Sequence, residues 1–225
     1  MGSPRMDGNG IVAAPVNANI ARTLGLTATR KSARLKFSGR LRSAQVFVAS
    51  SERMEQVVRR SAPGSKKVEQ LPELETTLVG TDLAEKILEL DEIWSFVLKK
   101  SCQNWTWIAL CLATRQVVAF VTGDRSETTC RRLWDAVPER YKMAHCFTDF
   151  WRAYQAVLPE DQHEAVGKES GKTNHVERWN NTLRQRLAQF VRKTLSFSKC
   201  PQMHLIRLTL FIHRYNTDLV RSILT

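Results

Sequence analysis

The chain has 225 residues, 43% of them hydrophobic, and its 34 Lys and Arg against 22 Asp and Glu give a formal net charge of +12. That apolar content suffices for a full core, and the charge selects a polyanionic partner, nucleic acid before a membrane surface. No apolar run approaches the roughly 18 to 20 residues of a spanning helix, and no charged start precedes an apolar block. A soluble cytoplasmic protein, with no membrane partner, is expected. The five cysteines, Cys102, Cys111, Cys130, Cys146 and Cys200, form no CxxC pair and are odd in number. This argues against a zinc finger or a disulfide framework and for reduced thiols.

Residues 1–85 have weak apolar periodicity and a basic balance, which predicts a poorly organised N-terminal segment, DNA-contacting or weakly structured. A helix is expected at 51–60, SERMEQVVRR, and the stretch SAPGSKKVEQLPELE (61–75) reads as a linker. From residue 86 a second domain runs to 225. ILELDEIWSFV (87–97), TWIALCLA (106–113) and VVAFVTG (117–123) are apolar and β-prone, the pattern of an antiparallel meander. SETTCRRLWDAV (126–137) opens on a capping serine and predicts a crossover helix. It leads to a short strand, AHCFTDF (144–150), placed parallel to the first by a right-handed connection. A short helix near WRAYQAV, a long one over about 172–191 and a last one over about 201–215 follow. The fold class is α/β, a mixed sheet with flanking helices.

Asp91 and Asp149 are charges inside apolar strands, which is costly unless a partner compensates them; the partner is either an arginine or a metal. Asp91 and Glu92 point to opposite sheet faces, and Asp91 is chosen because Glu92 shares its face with Leu90 and Trp94 and suits a local pairing. On the long helix, Val176, Leu183, Leu187 and Phe190 form a core stripe, while Glu177, Asn181 and Arg184 fall at about 100°, 140° and 80° from it. Glu177 can therefore lean over the sheet edge where Asp149 ends. Three convergent carboxylates suit Mg²⁺ or Mn²⁺, and a pair of ions about 3.5–4 Å apart would serve phosphoryl transfer. Arg178, Arg184, Arg186, Arg192 and Lys193, with Asn181, are the candidate DNA-binding residues.

LDEIW, FTDFWRAY and NHVERWNNTLRQRLAQFVRKTLSFSK resemble the DDE transposases of the insertion sequence one family over roughly residues 86–217. The tail, ERxNxxLRQxLAxxxRKxLSFSK in form, is the most specific part. The resemblance implies an RNase H-like catalytic domain whose acidic triad, Asp91, Asp149 and Glu177, binds divalent metal, with Arg184 contacting DNA near the scissile phosphate. It implies cleavage at the ends of an insertion element, strand transfer into target DNA, and a homodimer or larger assembly on double-stranded DNA. Family members carry an N-terminal zinc finger and helix-turn-helix. Residues 1–85 hold no cysteine, so the chain reads as the downstream frame translated from an early start.

Competing explanations accompany each residue. Asp91 and Asp149 could be strand-end charges paired with arginine, and Glu177 a helix carboxylate in a local ion pair. Trp151 and Trp179 are candidates to stack on an unpaired base. His175 is taken as solvated or phosphate-contacting, and Asn180 as a phosphate contact or a surface residue. For the whole chain the rivals are a non-catalytic DNA-binding regulator of transposition and an RNase H-like nuclease with another substrate.

Overall fold

A computed structural model describes residues 64, 66–80, 86–191, 193 and 195–224. The helix expected at 51–60 and Arg192 lie outside the described residues. Strands β1 (Ile87–Phe96), β2 (Gln103–Cys111) and β3 (Val117–Gly123) form the antiparallel meander. Helix α1 (Glu127–Ala136), capped by the Ser126 hydroxyl accepting from Thr129 N, crosses over to β4 (His145–Thr148), which lies parallel to β1. Helix α2 (Arg152–Val157), strand β5 (His163–Ala165), helix α3 (Asn174–Arg186) and helix α4 (Pro201–Leu224) follow. The sheet order is β3-β2-β1-β4-β5, the mixed, RNase H-like arrangement with β1 at its centre. No helix among the described residues is long and apolar enough to cross a membrane.

Strand β1 is covered on both faces, so buried apolar side chains occur at both phases of its alternation. Alternation sends Leu88 and Leu90 into a core with Leu133 and Val137 from the α1 side and Ala153 and Tyr154 of α2. It sends Ile93 into a second core with Val176, Trp179 and Leu183 of α3 and Leu208 and Ile212 of α4. Leu74 and Leu78 are buried in these cores as well. The stretch read as a linker therefore packs its end onto the domain.

Three departures from the sequence reading have physical causes. Strand β5 is three polar-flanked residues at the sheet edge, too short for an alternation to register. Helix α3 ends at Arg186, with Leu187 extended, because Gln189 is pulled into the interior. Its Nε2 donates to the His204 carbonyl at 3.1 Å and its Oε1 accepts from the Ser198 hydroxyl at 3.1 Å. Helix α4 runs past the expected stop at Tyr215, and Asn216 within it is a buried tertiary contact. Its Oδ1 accepts from Val117 N at 3.0 Å and its Nδ2 donates to Val117 O at 2.9 Å.

One contact sets α3 against β1. Thr173, at the N-cap of α3, makes no side-chain cap; the fully buried Glu89 of β1 supplies it. Glu89 Oε2 accepts from the backbone N–H groups of His175 at 2.9 Å and Val176 at 2.8 Å, and Oε1 meets His175 Nδ1 at 2.5 Å. Two orphan helix donors and the positive end of the helix dipole thus meet a carboxylate carried by the sheet.

Two outcomes are expected in urea unfolding followed by tryptophan fluorescence. Glu89→Ala leaves two buried N–H groups unpaired and costs about 2–4 kcal/mol, and Glu89→Gln costs less because an acceptor remains. The second concerns His204, whose Nδ1 lies 3.0 Å from Ser198 Oγ. Burial, helped by Arg207, lowers its pKa from 6.5 to about 4. The unfolded chain then binds a proton that the fold excludes. Stability from this group is complete above pH 6.5 and is lost as pH falls toward 4, by about 3 kcal/mol. His204→Gln flattens that slope.

Candidate active site

The sheet register brings the first two acids together. Parallel pairing sets Ile87 beside His145 and Glu89 beside Phe147. The same offset, continued past the end of β4, sets Asp91 beside Asp149. Helix α3 adds Glu177, and one cleft of about 280 Å³ is lined by Asp91, Glu92, Asp149 and Glu177 together with Lys168, Asn180, Asn181 and Arg184. Glu177, Asn180, Asn181 and Arg184 are spaced i, i+3, i+4, i+7, one stripe of the helix. Val176, Trp179 and Leu183 are buried beside it.

Each acid has a different environment. Asp91 Oδ1 accepts from Glu92 N at 2.9 Å and Oδ2 from Asn180 Nδ2 at 2.7 Å. Its pKa is nevertheless pushed up to about 7, first by burial, then by the charges of Glu92 and Asp149. Asp149 is exposed and accepts from Trp151 N at 2.9 Å. Glu177 is half-buried on the opposite wall. Glu92 faces the α1–α2 layer, where its carboxylate takes the Arg125 guanidinium and the Tyr154 hydroxyl, the latter at 2.8 Å. Burial raises its pKa, against the lowering effect of these two partners. The local pairing expected of Glu92 is thus present, although the side chain also reaches the cleft.

The acids line one cleft without forming a closed cage: among the described residues no three His, Cys, Asp or Glu side chains are close enough to hold an ion. The donor set nonetheless suits a hard divalent cation, since all the candidates are carboxylate oxygens. Mutual repulsion that lifts Asp91 is also what a cation between them would relieve.

The basic residues divide. Arg184 and Asn181 line the cleft, with Arg184 Nη1 donating to Asn181 Oδ1 at 3.2 Å. Arg178, Arg186 and Lys193 are exposed and do not line it. Trp179 is 2% exposed and packed against Phe211 and Tyr215, so it cannot stack on a base. Trp151 is half-buried, with the Arg125 guanidinium 3.9 Å from its ring centroid; that face is taken. His175 is tied to Glu89 through Nδ1, and its side chain stays partly exposed. The SFSK run is a structural connection at Ser198, whose carbonyl accepts from Leu98 N at 2.8 Å.

Four contributions escaped the sequence reading: Glu89 as the cap of α3, the Arg125–Tyr154 clamp on Glu92, Asn180 at Asp91, and Lys168 in the cleft wall. Only Glu89 left a trace, as a further charge in an apolar strand.

A family model described as IS1 transposase matches residues 85–216. The insertion element iso-IS1n protein InsB of Shigella dysenteriae is 37% identical over 129 residues, covering 57% of this chain and 95% of that protein. The insertion element IS1 protein InsB of Shigella flexneri is 38% identical over 116 residues, 52% of this chain and 86% of that one. The insertion element IS1 4 protein InsB of Escherichia coli strain K12 is 37% identical over 116 residues, 52% and 67% of the two chains. The matched span takes in the whole sheet, α1 to α3 and the residues that line the cleft. The chain belongs to the IS1 transposase family.

Proposed function

We propose that residues 86–225 form a DDE catalytic domain that cleaves DNA strands at insertion-element ends and transfers them into target DNA. The observation that carries this reading is the gathering of Asp91, Asp149 and Glu177, from a strand, a strand end and a helix, in a cleft that also holds Arg184 and Lys168. Asp91, Asp149 and Glu177 would hold Mg²⁺ or Mn²⁺, two ions in the complete site. When bound, the ions supply activation of the attacking oxygen and charge balance for the leaving one.

The chain's own residues position the reactants. Arg184, braced by Asn181, and Lys168 would take non-bridging phosphate oxygens, and Asn181 would share that role. In cleavage, water forms the new bond to phosphorus as the bond to the 3′ oxygen breaks, leaving a free 3′-hydroxyl. In transfer, that hydroxyl attacks a target phosphodiester, and the target's own 3′ oxygen leaves. No protein–DNA covalent bond is needed, so catalysis rests on orientation and electrostatics. Arg178, Arg186, Arg192 and Lys193 would hold flanking DNA, and a dimer would bring two element ends together.

Purified protein with Mn²⁺ should join a pre-cut element end to a plasmid, scored by gel. Glu177→Gln should lower joining by about a hundredfold or more while DNA retention survives. Equal loss of both would make Glu177 structural. Retention without any joining by the unaltered chain would leave the regulator reading. Retention should also fall steeply between about 50 and 200 mM salt, as phosphate contacts release counterions.

A further inference from the structure

Asn180 sits on α3 one turn beyond Glu177, yet it is only 4% exposed. A buried primary amide needs a use for both of its ends. Its Nδ2 donates to Asp91 Oδ2 at 2.7 Å. In this arrangement the amide nitrogen faces β1 and the amide oxygen is left for another partner. Oδ1 is buried and has no hydrogen-bond partner among the described residues, while the side chain lines the cleft shared with Asp91, Asp149 and Glu177.

A buried oxygen with no donor is destabilising unless something in the cleft uses it. We propose that Asn180 is a fourth oxygen donor of this site, its Oδ1 a ligand for the hard divalent cation and its Nδ2 the group that orients Asp91 toward the same ion. The inference rests on the metal-dependent reading above and adds to it a residue of different chemistry. Amide carbonyls are established hard ligands alongside carboxylates. A neutral donor raises the ligand count without adding charge to a cleft already lined by four acids, which a phosphate must enter. The amide also performs two tasks that no carboxylate can combine: it donates to one ligand of the ion and accepts toward the ion itself. The three-residue step from Glu177 keeps both side chains on one stripe of α3 while setting Asn180 nearer the sheet.

The test is Mn²⁺ binding to the full chain, read from the loss of the free Mn²⁺ electron paramagnetic resonance signal, without DNA and independent of turnover. Asn180→Leu, of similar volume, should bind Mn²⁺ about tenfold to a hundredfold more weakly than the unaltered chain, whereas Asn180→Asp, which keeps an oxygen there, should bind within about threefold or more tightly. Circular dichroism checks folding, and Asn180→Ala, which also removes both ends of the amide, carries the same expectation as Asn180→Leu if the leucine variant does not fold. Equal affinity in Asn180→Leu and the unaltered chain overturns this inference and leaves the acid triad standing. Equal weakening in the aspartate and leucine variants assigns the whole effect to Nδ2 and overturns the role of Oδ1. Absence of Mn²⁺ binding by the unaltered chain sinks both the metal-dependent reading and this one.

Discussion

The site depends on a carboxylate that takes no part in lining it. Glu89 is fully buried on β1 and receives the first N–H groups of α3. Asp91 is two residues further along the same strand and face, about 7 Å away. Glu177 is two residues beyond His175, still in the first turn of the helix. One contact therefore fixes the distance between the strand that carries one acid and the helix that carries another. Its cost is visible in the Glu89 pKa, raised to about 7 by burial despite the backbone bond from Val176 and the nearby charge of Arg115. A desolvated carboxylate is tolerable there because the helix end offers aligned N–H groups and a fractional positive charge.

Three carboxylates within four residues of β1 meet three different fates. Glu89 is answered by a helix terminus, and Glu92 by a guanidinium and a phenol in the opposite layer. The groups bonded to Asp91, the Glu92 N–H and the Asn180 amide, are both neutral. Its pKa, like that of Glu89, stands near 7, but here two neighbouring acids add to the burial. Burial raises all three; Glu89 and Glu92 direct their oxygens to neighbouring elements, whereas Asp91 lines the cleft between Glu92 and Asp149.

Much of this was legible because charge inside an apolar strand is expensive. LELDEIW and FTDF advertise their acids for that reason, and the apolar spacing of α3 tells which of its polar residues face outward. Which acid serves the cleft and which serves a neighbour was only half legible, since alternation separates Asp91 from Glu92 but is silent on what covers each face. The misread residues share one cause. Trp179 and Asn180 have partners on other elements, so local pattern assigns them to surface or ligand contact, and the helix ends near Gln189 and Asn216 are misplaced for the same reason. The Glu89 contact of His175 Nδ1 was equally out of reach, since that partner is 86 positions away. Burial of a hydrogen-bonding group is a tertiary fact, and it leaves no periodic mark.

The cleft's composition also explains the placement of the basic residues. Asp91, Asp149 and Glu177 in one cleft repel a phosphate diester, and a net charge of +12 spread over the chain does not cancel a local field of that sign. Arg178, Arg186 and Lys193 are exposed and do not line the cleft, so water and salt screen them from the acids there. Only cations in the cleft wall can offset the acids at the point of contact. Lys168 and Arg184 occupy that wall, and Arg184 is braced by Asn181. A carboxylate cleft that is to admit DNA therefore needs two sets of basic residues, one to gather the strand and one to seat it, and the stripe that places Glu177 places Arg184 seven residues later on the same face.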